Sequence, residues 1–137
     1  MAMAKSEDLG KFLLRLTVSV VVLFHGVAKL SHGVEWIRGP LGAVGLPGFL
    51  AYAAYIGEVL APVLLILGYR SRLAALLVAI DLLAAILLVL RHQIFVIKEM
   101  GGGWAIELEV LIMMSALAVF FIGGGRFGIT KGQNAWD

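Results

Sequence analysis

The sequence predicts an all-α, integral membrane bundle of four transmembrane helices, and three observations carry that prediction. Of its 137 residues 61% are apolar and only 15% are charged, with a mean hydropathy of +1.00, whereas water-soluble domains run about 45–50% apolar and about 25% charged. Four segments approach the roughly 20 mostly apolar residues that a helix needs to cross a hydrocarbon core. Clusters of glycine, proline and arginine separate those segments. The surplus apolar surface calls for lipid as its solvent, and it rules out both a soluble domain and intrinsic disorder.

The first helix is expected over about 9–30, with Leu16 to Phe24 as its apolar heart. Lys5, Lys11 and Arg15 ahead of this stretch resemble a signal peptide, but His25, Gly26 and Lys29 follow it instead of a small-residue cleavage site, so the segment reads as a retained span. The second helix, about 49–67, is opened by Gly45-Leu46-Pro47-Gly48 and closed by Gly68. A third is expected over about 73–90. The fourth, about 104–122, lies between two glycine triplets, Gly101 to Gly103 and Gly123 to Gly125, which mark its ends. No tandem repeat or second domain interrupts residues 1–137, which read as one domain.

Orientation follows from the basic residues, because cytoplasmic loops carry the excess of Lys and Arg. With the N-terminus inside, Lys5, Lys11, Arg15, Arg70, Arg72, Arg126 and Lys131 fall on the inner side, against Lys29, Arg38, Arg91 and Lys98 outside. Both termini are therefore expected in the cytoplasm. The net charge of +2 and pI near 9.2 express this topology rather than nucleic-acid binding, since the basic residues form no run. The absence of cysteine removes disulfides, thiolate metal sites, iron–sulfur clusters and any redox thiol. No phosphate-binding glycine loop precedes a helix with a Lys-Ser/Thr pair, and no Ser/His/Asp set is recognisable, so neither nucleotide nor hydrolase chemistry is expected.

Ionisable side chains inside a span are costly, with estimates starting at about 2.5–3.5 kcal/mol at the bilayer centre, and so mark candidate sites. Glu58 lies ten residues before Gly68 and Asp81 nine after Arg72, which at 1.5 Å per residue places both roughly 14 Å deep on adjacent antiparallel helices. Ala51, Ala54, Ala61 and Pro62 share the face of Glu58, and Ala74, Ala84 and Ala85 flank Asp81; small residues on one stripe mark close helix approach. Both carboxyls are thus expected to point inward, where facing groups can share a proton. Arg15, on one stripe with Ser19, Val22, Gly26 and Lys29, is expected as their counter-charge. The group Arg15, Glu58 and Asp81 then serves either as a structural ion pair or as a proton or substrate site.

A second group belongs toward the outer face, where His25, Lys29, His92 and Glu107 are expected at one depth. Histidine donates hydrogen bonds and titrates near neutrality, which suits a quinone or phenol whose reduction takes up protons. Trp36, Trp104 and Phe95 can stack on such a ring or belong to an interfacial belt. Haem ligation is not expected, because His92 lies at the interface and neither it nor His25 has a membrane-centre placement, and a metal on His25, His92, Glu107 and Glu109 is not expected, because no tight ligand spacing such as His-x-x-x-His occurs. Glu109 is expected at the helix start, where the dipole favours an anion, and Met113 and Met114 as packing.

These pieces resemble a known family. Arg15, then Phe24-His25-Gly26-Val27-Ala28-Lys29, then Glu58 leading to Leu67-Gly68-Tyr69-Arg70-Ser71-Arg72, then Gly102-Gly103-Trp104 shortly before Glu107, and Gly123-Gly124-Gly125-Arg126-Phe127 are, in order and spacing, similar to the DoxX family of small four-helix membrane proteins. Two departures stand out: Thr130 occupies a position where members often carry aspartate, and Ala105 and Ile106 separate the aromatic Trp104 from Glu107. The resemblance implies a bacterial-type inner-membrane protein linked to quinone chemistry. The expected function is a quinone-linked redox subunit or accessory factor taking electrons from a partner, with His25, Lys29, His92, Trp104 and Glu107 as candidate quinone contacts. The alternatives are a carrier or permease using the mid-depth carboxylates and a non-enzymatic assembly protein. Membrane lipid, a quinone or small aromatic ligand, and a homo-oligomer or hetero-complex with a redox protein are the expected partners.

Overall fold

The computed structural model describes residues 2–137, and their regular elements are helices. The first, α1, spans Ala2–His32. A short helix α2 at Arg38–Ala43 follows a single 3-10 turn at Glu35–Ile37. The next long helix, α3, runs Gly48–Leu67 and changes pitch along its length: 3-10 at Gly48–Tyr52, α at Ala53–Tyr55, π at Ile56–Leu60 and α again at Ala61–Leu67. Helix α4 spans Ser71–Leu88 and α5 spans Glu107–Ile122.

The π segment has a cause in the sequence. Pro62 has no amide to return to the carbonyl four residues back, that of Glu58, and the ladder shifts so that the Ala61 amide reaches the carbonyl of Ile56. The α3–α4 turn is equally local. Gly68 takes a left-handed conformation (φ 65°) and terminates α3, its amide meeting the carbonyls of Leu64 and Leu65, as glycine does at helix ends.

Helix α1 packs on α3 and α5, and α4 packs on the same two, so consecutive long helices are neighbours in a four-helix bundle. The core between them is aliphatic and small: Val18 and Val22 from α1, Ala61 and Leu65 from α3, Ala74, Ala75 and Val78 from α4, and Ile112, Ala116 and Val119 from α5. The outward surface is apolar as well, with Leu13, Phe24, Leu60, Ile80, Leu87, Leu111 and Phe121 exposed. Such a surface on a monomer needs an apolar surround.

Three of the helices, Met3–His32, Gly48–Leu67 and Ser71–Leu88, are long and apolar enough to cross a membrane. The expected fourth span is shorter than the sequence suggests. Helix α5 has 16 residues, a rise of about 24 Å against a hydrocarbon core of about 30 Å. It starts at Glu107 and not near Trp104, because the backbone there is committed elsewhere. Residues 96–105 form a hairpin in which Lys98 donates to the carbonyl of Gly103 (2.8 Å) and Ala105 to that of Val96 (2.9 Å). The Trp104 indole also donates to the carbonyl of Ile94 (2.6 Å).

The segment from Val34 to Ala51, with α2, folds back over the end of the bundle opposite the α3–α4 turn. Val34, Leu41 and Ala51 are buried there and pack with Ile37, Ala54, Tyr55 and Leu88 in a second apolar cluster.

Candidate functional site

Between the bundle core and this cap lies a cavity of about 230 Å³. Its walls take Val22, Leu82 and Ile112 from the core and Leu41, Ala51 and Leu88 from the cap. Into this apolar lining project five ionisable side chains, His25, Lys29, Glu58, Asp81 and Glu109, and one aromatic, Trp36.

Glu58 is held by Lys29, whose ammonium donates to Oε2. Both side chains are largely buried, with 15% of Lys29 and 7% of Glu58 exposed. Lys29 also lies 5.8 Å from the centre of the Trp36 ring, a cation–π distance. The Tyr55 hydroxyl donates to the Lys29 carbonyl (3.2 Å), tying α1 to α3 beside the pair.

Two glycines allow the approach that makes this possible. A Cβ on Gly26 would stand 2.0 Å from the Glu58 carbonyl oxygen, and one on Gly57 would stand 2.3 Å from Asp81 Cβ. Gly26 therefore sets α1 directly against the π segment, and Gly57 sets α3 against α4 beside Asp81. The carboxyls of Glu58 and Asp81 line one cavity together with the Lys29 ammonium.

The structure corrects the expected partner of Glu58. Arg15 is not beside it; the ion pair is made by Lys29. With Gly26 level with Glu58, Arg15 lies eleven residues, or about 16 Å, down the helix axis, beyond the reach of its side chain. Arg15 instead extends toward the α3–α4 turn and donates through Nη2 to the carbonyl of Phe127. It is 1% exposed, wedged where a Cβ on Gly68 or Gly128 would come within 2.0 or 2.8 Å of Nη1. Among the described residues its Nε and Nη1 have no hydrogen-bond partner.

The expected outer group is likewise divided. His25 and Lys29 line the cavity, whereas His92, Trp104 and Glu107 do not. His92 is exposed on a 3-10 turn at Arg91–Gln93, against Arg91. Trp104 belongs to the hairpin, and Glu107 turns back onto it, 3.1 Å from Lys98 Nζ. The residue missed in that group is Glu109. Its signal was available, because Ile112 and Ala116, three and seven residues on, are the buried face of α5.

At the turn end the chain after α5 doubles back, and Ile129 donates to the carbonyl of Leu67 (3.0 Å). Thr130, where the resemblance leads one to look for an acid, is joined by one from further along: its hydroxyl lies 2.7 Å from Asp137 Oδ1 and 2.8 Å from the Gly68 carbonyl. Asp137 also accepts from the Arg70 amide (3.2 Å) and the Asn134 amide (2.7 Å). Burial pushes the Asp137 carboxyl up, but the donors of Thr130, Asn134 and Arg70 outweigh it and hold the carboxyl below its ordinary value. A depressed carboxylate stabilises the fold above its unfolded pKa and loses that contribution as pH falls through the folded value. Protection of the Arg70 and Asn134 amides, measured relative to their intrinsic exchange rates, is therefore expected to be high at neutral pH, to fall on acidification below the ordinary carboxylate range, and to be lost at neutral pH in Asp137→Ala. Exchange in the variant as slow as in the parent would remove Asp137 from this role.

Comparison with known proteins supplies a family. Residues 10–91 match the DoxX family model. The chain is 30% identical over 125 residues, 91% of its own length and 87% of the relative's, to a Bacillus subtilis (strain 168) protein named "Putative oxidoreductase CatD". No solved structure matches.

Proposed function

This chain belongs to the DoxX family, and from that membership and the capped cavity we propose that it is a quinone-linked redox subunit or accessory factor of a bacterial or archaeal inner membrane. The observation that carries the reading is an apolar cavity lined by five ionisable side chains from four helices, the usual composition of a small-molecule site. An apolar cavity of about 150 Å³ holds benzene, so about 230 Å³ suits one substituted ring.

In this reading four helices cross the bilayer, α5 being completed by the hairpin before it, and both termini face the cytoplasm together with the α3–α4 turn. The cavity then opens toward the outer leaflet. His25 and Lys29 offer N–H groups to a ring oxygen, and Trp36 offers a face. Glu58, pinned by Lys29, keeps the ammonium in place. Asp81 and Glu109 are left to take or give the protons that accompany quinone reduction and oxidation, while a partner protein handles the electrons.

Binding of a quinone analogue to the protein in nanodiscs tests this directly. Asp81→Asn and His25→Ala are each expected to weaken binding several-fold, and affinity unchanged in both would sink the reading. A carrier for a small aromatic compound is favoured instead by one observation, the π segment beside the paired carboxyls, since helix irregularities lie at many transport sites. Proton-dependent uptake into vesicles that disappears in Asp81→Asn would select it.

A further inference from the structure

We propose that a second cavity, at the α3–α4 turn end of the bundle, binds a phosphate group. It measures about 340 Å³ and is lined by four cations, Lys11, Arg72, Arg126 and Lys131, together with the glycines following α5.

Three carboxylates also line it, Glu7, Asp8 and Asp137, but two are committed. Asp8 accepts from the Arg126 amide (3.2 Å) and faces its guanidinium (3.7 Å), while Asp137 is held by Thr130, Arg70 and Asn134. Arg72 is engaged with the backbone oxygens of Asp137 (2.7 Å) and Phe120 (3.3 Å). Among the described residues Lys11 and Lys131 form no ion pair, and neither does Arg15. Arg15 stands immediately behind the cavity wall, its Nη1 3.5 Å from where a Cβ on Gly124 would lie. Two lysines without an ion pair, Lys11 and Lys131, thus line the cavity against the single exposed carboxylate of Glu7, and behind its wall Arg15 is buried with two unpartnered nitrogens. A buried charge without a counter-charge is costly, and an anion held in the neighbouring cavity lowers that cost through space.

The backbone turns tightly around this space: Gly123 (φ 81°), Gly125 (φ 73°), Lys131 (φ 52°) and Gly132 (φ 69°) all adopt left-handed conformations, and the amides of Gly123 and Lys131 are already held by the carbonyls of Val119 and Gly128, so the lysine and arginine side chains supply the positive wall. Lys131 is left-handed without being glycine, a conformation that persists where the surroundings hold it. Cations approaching from α1, α4 and the terminal segment surround the space on several sides, which suits a tetrahedral oxyanion better than a planar carboxylate. With the membrane placement proposed above, this cavity lies at headgroup level, so both a phospholipid headgroup and free phosphate could supply the group.

Thermal unfolding in detergent distinguishes them, with dioctanoyl phosphatidylglycerol, inorganic phosphate and phosphate-free dioctanoylglycerol as probes at matched ionic strength. Stabilisation by phosphatidylglycerol alone assigns the site to a lipid headgroup, and stabilisation by inorganic phosphate as well assigns it to the free anion. In the double variant Lys11→Ala, Lys131→Gly the half-saturating concentration should rise roughly tenfold, the scale of one charge-assisted hydrogen bond; glycine at 131 keeps the backbone conformation. Glu7→Gln, which removes the opposing charge, should bind a few-fold more tightly. No stabilisation by either phosphate probe, equal stabilisation by dioctanoylglycerol, or identical titrations in parent and variants would overturn the proposal.

Discussion

Lys29→Met is expected to destabilise the protein by about 3–5 kcal/mol, the usual cost of removing one partner from a buried ion pair. The expectation rests on burial: 7% of the Glu58 side chain and 15% of Lys29 are exposed, so the carboxylate left behind is largely buried without its ion-pair partner. Glu58→Met should cost a comparable amount by stranding Lys29. The double variant Lys29→Met, Glu58→Met should recover much of the loss, since replacing a whole buried pair by apolar side chains of similar size is often neutral. Thermal unfolding in the same detergent for the four proteins gives the coupling. Single losses below about 1 kcal/mol, the size of a surface pair, would show that Lys29 does not serve as the buried counter-charge.

Gly26→Ala is the second large effect, and it works through shape instead of charge. The new methyl would stand 2.0 Å from the Glu58 carbonyl oxygen, 2.6 Å from its carbon and 2.9 Å from Val59 Cγ2. Two of these are backbone atoms of the facing helix, so no side-chain rotation relieves the contact and α1 must move off α3. Overpacking of a core costs typically about 1–3 kcal/mol, and the upper end is expected here. Separation of the helices would also draw Lys29 away from Glu58 and open the cavity, so loss of ligand binding should accompany the loss of stability. Gly10→Ala is the internal control. Nothing lies within 4 Å of a Cβ at Gly10, and replacing a mid-helix glycine gains roughly 0.5–1 kcal/mol. Equal behaviour of the two variants would mean that the α1–α3 approach does not depend on Gly26.

Much of the bundle was legible because helices obey a fixed period. The stripe Arg15, Ser19, Val22, Gly26 and Lys29 is the buried face of α1, with Arg15, Ser19 and Val22 at 1%, 0% and 2% exposure. Ala51, Ala61 and Ala74 are similarly buried, as small residues at close helix contacts should be. The start of α5 was not legible, because the same apolar residues that suit a span also suit a hairpin, and the carbonyls of Val96 and Ile94 capture groups that a helix would have used.

By itself the sequence determined what kind of solvent the chain requires, where its long helices run and which stripe of each turns inward, since these depend on composition and on periodicity within one helix. Only the tertiary structure decided which charges meet. Arg15 and Lys29 lie on the same stripe fourteen residues apart, and either could have been the partner of Glu58. Periodicity along α1 says nothing about its axial register against α3. That register is set where Gly26 lets the two backbones touch, and once it is set Lys29 reaches the carboxylate while Arg15 is carried to the opposite end of the bundle, beside a different cavity.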